Sequence, residues 1–577
     1  MKKLMLGNEA VARGLYEAGV KVVASYPGTP STEITEFVAK YNEIDAEWAP
    51  NEKVATEVAI GACMSGVRSA CAMKHVGLNV AADPLFTASY TGVNGGLLII
   101  VADDPGMHSS QNEQDTRNYA IASKVPILEP SDSMEAKEFV KVGYYLSETY
   151  DTPVILRLTT RVAHSQSIVE IFDREDIKDK EYVKDVQKNV MMPAMAKKRH
   201  VFVEERTKKL TEYAEMACVT KVELNSDKIG IITAGTCYQY AKEVFPEASF
   251  LKLGMINPLP VKMIKSFAKK VEKLYVIEEL DPIIENHIRK LGIDVIGKDV
   301  FPMVGEFNAN IIYEKISGNE LEINKLDKEI PIRPPVLCPG CPHRGTFYVL
   351  NKLGVNVSGD IGCYTLGAMA PLSSIHTCVC MGASISGAHG VSKGNPELSK
   401  NTVAVIGDST FIHSGITGLI DVSYNQGNST VLILDNSITG MTGHQQNPTT
   451  GYTLKGDPTT KVSLEKLCDA IGITNVSVVD PFDVKKMEET VKAEIKKDEP
   501  SVVIARRPCA LLKNVKYDNN VTVLSDKCVG CKMCMKIGCP AITMRDGKME
   551  INKTLCNNCG LCTEICKLGA RSLGGAK

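Results

Sequence analysis

The sequence predicts a multidomain α/β protein of doubly wound, mainly parallel sheets, ending in a small α+β domain. Three observations predict it. The chain has 577 residues, too many for one core and in keeping with about four domains. Short apolar runs alternate with helical patterns through three long stretches, the rhythm of strands covered by helices on both faces. The final stretch breaks that rhythm and is crowded with cysteine.

Residues 1–165 supply the first α/β pattern, with "KVVASYP", "RSACAMK", "GLLIIVADD" and "TPVILRLTT" reading as strands. The opening "MKKLMLGNEAVARGLYEAG" passes from a brief basic start into an amphipathic helix and shows no signal-peptide core or cleavage site. Residues 166–225, from "DREDIKDKEYVKD" to "AKKRHVFVEERTKKL", read as a charged, solvated linker with helical pieces. A second α/β pattern occupies 226–330, from "KIGIITAG" through "KLYVIEEL". "PIRPPV" marks the next boundary, because its prolines suit neither a helix interior nor a central strand. Residues 331–518 form a third α/β pattern, with "TVAVIGDS", "TVLILDN" and "PSVVIARRP". Residues 519–577 are the cysteine-dense end.

Composition removes several classes of function. Lys+Arg 66 against Asp+Glu 68 leaves a net charge of −2, which points to neither nucleic acid nor an anionic membrane. No apolar run reaches the roughly 18–20 residues of a membrane span. Nineteen cysteines without an export signal argue for metal ligation in a reducing, anoxic cytoplasm, not for disulfides.

Cys528, Cys531 and Cys534 form C-x2-C-x2-C, and Cys556, Cys559 and Cys562 repeat it 28 residues later. Cys539 and Cys566 follow as fourth cysteines. In two-cluster ferredoxins the fourth cysteine ligates the other cluster. One [4Fe-4S] cluster is therefore expected on Cys528, Cys531, Cys534 and Cys566, the second on Cys539, Cys556, Cys559 and Cys562. Four residues precede Cys539 where three are usual, and Lys567 follows Cys566 in place of proline. Paired zinc sites are the competing reading, but they need four local thiolates and no twin triplets.

In the third pattern, "VAVIGDSTF" ends a strand at Gly407-Asp408 and "VLILDNSITGMTGHQ" ends another at Asp435-Asn436. Ligands of α/β sheets collect past the carboxyl ends of strands. Asp408, the Asn436 amide oxygen and the Ile438 carbonyl are suited to Mg2+, a hard ion that takes oxygen ligands and phosphate. Gly440 and Gly443 let the backbone approach a diphosphate. An ordinary buried, helix-capping aspartate fits "GDS" as well.

Together "YPGTPSTEI", "CPGCPHRG", "DIGCYTLG", "HTCVCMGASI" and "DNSITGMTGHQ" resemble the 2-oxoacid:ferredoxin oxidoreductases over essentially the whole chain. By domain order the resemblance is to the alpha subunits that act on indolepyruvate. It implies thiamine diphosphate domains of transketolase type, with a transketolase C-terminal-like domain at 226–330 and a ferredoxin-like domain at 519–577. It assigns Asp408, Asn436 and Ile438 to magnesium, and Gly407, Gly440, Gly443 and His444 to the surroundings of the cofactor. It gives Glu52 of "PNEKVATEVAIGACMSG" to the aminopyrimidine ring, where Glu57 is a second candidate and a first-turn glutamate facing the helix dipole is the plainer reading. Thr29 matches a residue that contacts the substrate carboxylate, and reads equally as a helix N-cap with Pro30 following. Cys338, Cys341, Cys363 and Cys509 match the ligands of a third cluster beside the cofactor, with Cys378 and Cys380 as substitutes. A redox C-x-x-C pair or plain buried cysteines compete with that assignment, and Cys63, Cys71, Cys218, Cys237 and Cys468 are expected to be such small buried residues.

The activity so implied is oxidative decarboxylation of an aryl 2-oxo acid of the indolepyruvate or phenylpyruvate type. The products are an acyl-coenzyme A and carbon dioxide, with electrons leaving through the clusters to an external ferredoxin. The expected partner is a separate beta subunit, in a heterodimer or higher multimer. Another 2-oxoacid:ferredoxin oxidoreductase, or a non-catalytic electron-transfer subunit of a larger redox complex, is the alternative.

Overall fold

The computed structural model describes residues 1–575 other than 323, 325 and 518. They divide into two units between Asp327 and Lys328. In the first unit, β1 (Lys2–Leu6) is followed by β2 (Val22–Ser25), β3 (Asp45–Trp48), β4 (Ser69–Lys74) and β5 (Leu97–Asp103). Next come β6 (Ile127–Leu128), β7 (Val154–Thr159) and β8 (Gln166–Glu170). β9 (Lys221–Glu223), β10 (Ile229–Ala234), β11 (Ser249–Leu253), β12 (Met255–Asn257) and β13 (Lys273–Ile277) complete it.

Seven of these strands form one sheet in the order β12-β6-β7-β5-β4-β2-β3, parallel except for the β12–β6 pair. A second sheet runs β13-β10-β11-β9, with β9 antiparallel. β5 and β7 are buried along their whole length, as expected where helices cover both faces. The first two α/β patterns are not independent. β12 comes from the second pattern yet pairs with the first sheet, and a single apolar core joins Leu78, Ile99 and Ile127 to Leu251, Leu253 and Ile264.

Inside this core, Arg117 bridges Asp115 and Glu278, each at 2.6 Å, while Arg157 bridges Asp103 and Glu129, each at 2.7 Å. The charged stretch after residue 165 also packs. β8 pairs antiparallel with β1, and Arg206, buried in the helix Pro193–Ala214, donates to the Ser89 and Asp151 carbonyls at 2.9 Å. The opening residues thus begin with a strand, because a partner over 150 residues away accepts its edge.

The second unit holds β14 (Asn356–Gly359), β15 (Thr377–Cys378), β16 (Thr402–Gly407), β17 (Thr430–Asp435), β18 (Asn475–Val479) and β19 (Ser501–Arg506). They make an all-parallel sheet in the order β15-β14-β16-β17-β19-β18. The chain leaves β14 toward β15 on one side and returns as β16 on the other, which opens a crevice at the carboxyl ends of β14 and β16. After the sheet, β20 (Asn519–Val523) pairs with β23 (Arg571–Gly575) and β21 (Ile542–Arg545) with β22 (Lys548–Ile551), both antiparallel. A short turn, Met533–Ile537, and a short helix, Leu561–Ile565, carry the third cysteines of the two triplets, Cys534 and Cys562. Ile537, Leu561 and Ile565 share a core with Leu337, Phe347 and Tyr348 of the sheet domain. Among the described residues no helix is long and apolar enough to cross a membrane.

Candidate functional site

β16 and β17 are adjacent and in register, Gly407 opposite Leu434, so the residues that follow them meet. The side-chain amide of Asn436 stands 2.7 Å from the Ile438 carbonyl oxygen and 3.2 Å from Asp408 Oδ1. With nitrogen on that side the amide donates to both; with oxygen there, the three make an all-oxygen corner. Ligands at about 2.0–2.1 Å in an octahedron around Mg2+ are about 2.9 Å apart along an edge, and the observed spacings bracket that value. Burial, and then Asp435, push the Asp408 carboxyl up to about 7, a penalty that a bound divalent cation reverses. Thr449 donates to Asp408 Oδ2 at 3.1 Å. The donor set fits magnesium holding a diphosphate. Gly407 packs against Tyr364, whose ring would lie 2.6 Å from any Cβ there, and Gly443 holds a φ of +122° that favours glycine.

Neighbouring loops bring four cysteines toward this corner. The Cys509 amide donates to the Asn436 carbonyl at 2.9 Å, so the "RRPC" loop is tied to the oxygen corner. A Cβ on Gly440 would lie 3.4 Å from Cys363 Sγ. Burial raises the Cys363 thiol to about 11, with Cys509 and Cys338 adding to it. Cys341 is raised by burial and feels Cys363 and Cys509. Cys338, Cys341, Cys363 and Cys509 are therefore brought together. His444 Nε2 lies 3.8 Å from Cys509 Sγ, which puts this histidine at the cysteine quartet. Asp360 fixes the surrounding turns by accepting from the Ile361, Gly382 and Ser384 amides, each at 2.9 Å. Cys378 and Cys380 are exposed and face Asp360.

The tail carries two small cavities, of about 20 and 30 Å³. One is lined by Cys528, Cys531, Cys534 and Cys566. The other is lined by Cys539, Cys556, Cys559 and Cys562. The extra residue before Cys539 is taken up in the turn Met533–Ile537 and Gly538, whose φ is +63°. Amides already point at sulfur: Met549 N lies 3.5 Å from Cys528 Sγ and Asn558 N 3.4 Å from Cys556 Sγ. The Met549 amide, and after it that of Gly530, hold the Cys528 thiol below its ordinary value. Among the described residues no three His, Cys, Asp or Glu side chains converge on a single-ion site. Thiols spaced around a cavity suit a polynuclear cluster, in which each ligates its own iron, better than they suit zinc. Elsewhere Cys63, Cys71, Cys237 and Cys468 are buried, whereas Cys218 is exposed: it follows the helix Pro193–Ala214 in a surface turn.

In the first unit, Glu52 begins the helix Glu52–Met64 and is 5% exposed. Asn51 caps that helix, accepting from Val54 N at 2.9 Å. The Glu52 side chain lies against Gly77, where a Cβ would come within 2.6 Å of Glu52 Oε1. Glu57 is on the outer face of the helix and pairs with Lys53. Thr29 is not a helix cap. The helix Thr32–Val38 takes Ser31 at that position, and Ser31 closes a turn onto the Gly28 carbonyl at 2.7 Å. Ser109 Oγ reaches the Thr29 carbonyl at 3.3 Å and is itself reached by Lys74 Nζ, also at 3.3 Å. Lys74, at the carboxyl end of β4, is 7% exposed, and burial pushes it down to about 8.

Lys74, Arg344 and Arg571 are absent from the sequence expectations. The signal available for Lys74 was a lone cation closing the apolar strand "SACAM"; for the two arginines it was their position just past a cysteine motif.

Residues 13–229 match the family model described as pyruvate flavodoxin/ferredoxin oxidoreductase, thiamine diphosphate-binding. Residues 360–505 match that of the thiamine pyrophosphate enzymes, C-terminal thiamine pyrophosphate-binding domain. The chain is 40% identical over 604 aligned residues to the indolepyruvate oxidoreductase subunit IorA of Archaeoglobus fulgidus, covering 98% of this chain and 96% of that one. To the subunit of the same name from Pyrococcus horikoshii it is 39% identical, with 99% and 96% covered. Its likeness to the 2-oxoglutarate synthase subunit KorA of Methanothermobacter thermautotrophicus is narrower, 29% over 190 residues, or 30% of this chain and 48% of that one.

Proposed function

The chain belongs to the indolepyruvate oxidoreductase IorA family, and from that premise we propose that it is the thiamine-binding, cluster-carrying subunit of an enzyme oxidising aryl 2-oxo acids with ferredoxin as acceptor. The observation that carries the reading is the tie between two chemistries. Asn436, in the oxygen corner suited to a magnesium diphosphate, accepts from the amide of Cys509, one of four clustered cysteines. On this reading electron-rich carbon chemistry and a one-electron acceptor stand on two loops joined by a hydrogen bond. The family models support the cofactor itself.

Thiamine diphosphate supplies a carbon nucleophile and an electron sink for decarboxylation. Asp408, Asn436 and the Ile438 carbonyl hold magnesium on the diphosphate, with Gly440 and Gly443 leaving room for phosphate oxygens. Glu52 would face the aminopyrimidine ring of the cofactor, as the group able to take or give its proton. Thr29 receives the substrate carboxylate, and Lys74 brings positive charge to it. The three cysteine quartets would hold [4Fe-4S] clusters, which would supply one-electron transfer toward an external ferredoxin. Coenzyme A takes the acyl group. A separate beta subunit completes the enzyme, which works in an anoxic cytoplasm.

Anaerobic purification of the complex followed by thiamine, iron and sulfide analysis is the first test. About twelve irons and one thiamine diphosphate per chain are expected, because each cube holds four irons. Asp408→Ala should lose thiamine and magnesium together while keeping its iron. Steady-state rates on indolepyruvate, phenylpyruvate, pyruvate and 2-oxoglutarate then decide the substrate. A preference for pyruvate would sink the aryl assignment and leave the reaction class standing.

A further inference from the structure

Two buried guanidinium groups stand at the joints between the cysteine sites. Arg344, three residues past Cys341, is 2% exposed. Its Nε donates to the Cys338 carbonyl and its Nη1 to the Ile537 carbonyl, each at 2.9 Å, and its Nη2 to the Leu337 carbonyl. It ties the CPGC loop to the segment just before Cys539 and lines the Cys539 cavity. The sulfurs acting on its charge come from both sides: Cys539 and Cys559 from the tail, Cys338 and Cys341 from the loop. Asn557 adds a second tie, donating to the Pro339 carbonyl at 3.1 Å.

Arg571 occupies the next joint. It is 6% exposed, lines the Cys528 cavity and donates from Nη1 to the Cys562 carbonyl at 3.1 Å. Its Nη2 is buried and finds no hydrogen-bond acceptor among the described residues. Burial raises the thiols of Cys534, in one cavity, and Cys562, in the other; Arg571 is the largest opposing influence on both.

A buried positive charge beside an iron–sulfur site favours the form carrying one more electron, because little solvent screens the attraction. We propose that Arg344 and Arg571 set the reduction potentials along the relay. Arg344 acts on the Cys539 site and the CPGC site, and Arg571 acts on both tail sites. The order of transfer follows from those joints: CPGC quartet, then the Cys539 site, then the Cys528 site. At this last site Cys531 is exposed and the neighbouring Val529 is 72% exposed, open to an external acceptor. The proposal rests on the cluster reading given above.

The test is a potentiometric titration followed by EPR on the anaerobic complex, comparing wild type with R344Q, R571Q, R344K and R571K, each with an iron count. R571Q should move both tail signals to lower potential by at least tenfold in the redox equilibrium, 59 mV for a one-electron couple. R344Q should move only one of them. The lysine variants, which keep the charge, should stay within threefold of wild type. Should a glutamine variant lose iron while its lysine counterpart keeps both iron and potential, the charge is again what matters. Wild-type potentials in an iron-replete glutamine variant overturn the proposal, as does loss of iron from the glutamine and lysine variants alike. Iron-free wild-type protein would instead overturn the cluster reading itself.

Discussion

Glu52 illustrates how much one side chain owes to its neighbours. Asn51 meets the first amides of the helix, and the bare backbone of Gly77 makes room for the carboxylate, so a buried acid is held where an alanine at position 77 would collide with it. Glu52→Gln keeps the shape and removes the proton acceptor. Turnover should fall by about 10²–10⁴-fold with thiamine content unchanged, as measured by single-turnover kinetics and cofactor extraction. Lys74 gives a pH dependence. Its ammonium loses the proton near pH 8 in the fold, so the KM for the 2-oxo acid should rise as pH climbs through about 8. Lys74→Met should show a high KM that stays flat across that range. The sign for stability is opposite. The folded value lies below the unfolded value of about 10.4, the unfolded chain binds more protons between the two, and stability grows with pH across that window.

The elements explain why the spacing of the motifs was readable. Asp408 and Asn436 lie 28 residues apart, about one strand–helix–strand unit, and adjacent parallel strands deliver both to one sheet edge. The tail works differently. Its strands are short ribbons, and most of the wall of each cavity is cysteine and other apolar side chains that need something to pack on. Clusters held here would be part of the fold, as metals are in other small domains. Destroying them with oxygen or a chelator should make residues 519–575 protease-sensitive while the sheet domain persists, a pattern that mass spectrometry of the digest would read. Equal resistance with and without iron would count against a structural role for the clusters.

For the whole chain, the first unit depends on charges sealed inside it. Arg117 joins Asp115, just ahead of its own helix, to Glu278 at the end of β13, and so locks the seven-stranded sheet to the four-stranded one. Breaking a buried pair strands its partners in a poorly solvating interior. Arg117→Leu should therefore cost roughly 3–5 kcal/mol, lowering the calorimetric transition of the first unit and leaving the iron content of the second untouched.

By itself the sequence determined the long parallel strands such as β5, β7, β16 and β17, the α/β class and the two cysteine triplets, because strand patterning and C-x2-C spacing are local properties of the chain; β1, β8 and β9 escaped it. Only the tertiary structure decided which cysteines form the quartet beside Asn436, that Glu52 and not Glu57 points inward, that β12 joins the first sheet, and that Arg344 and Arg571 sit between sulfur sites. Each of these depends on segments far apart in the chain meeting through packing. The partner that makes the contact leaves no mark in the periodicity of either segment.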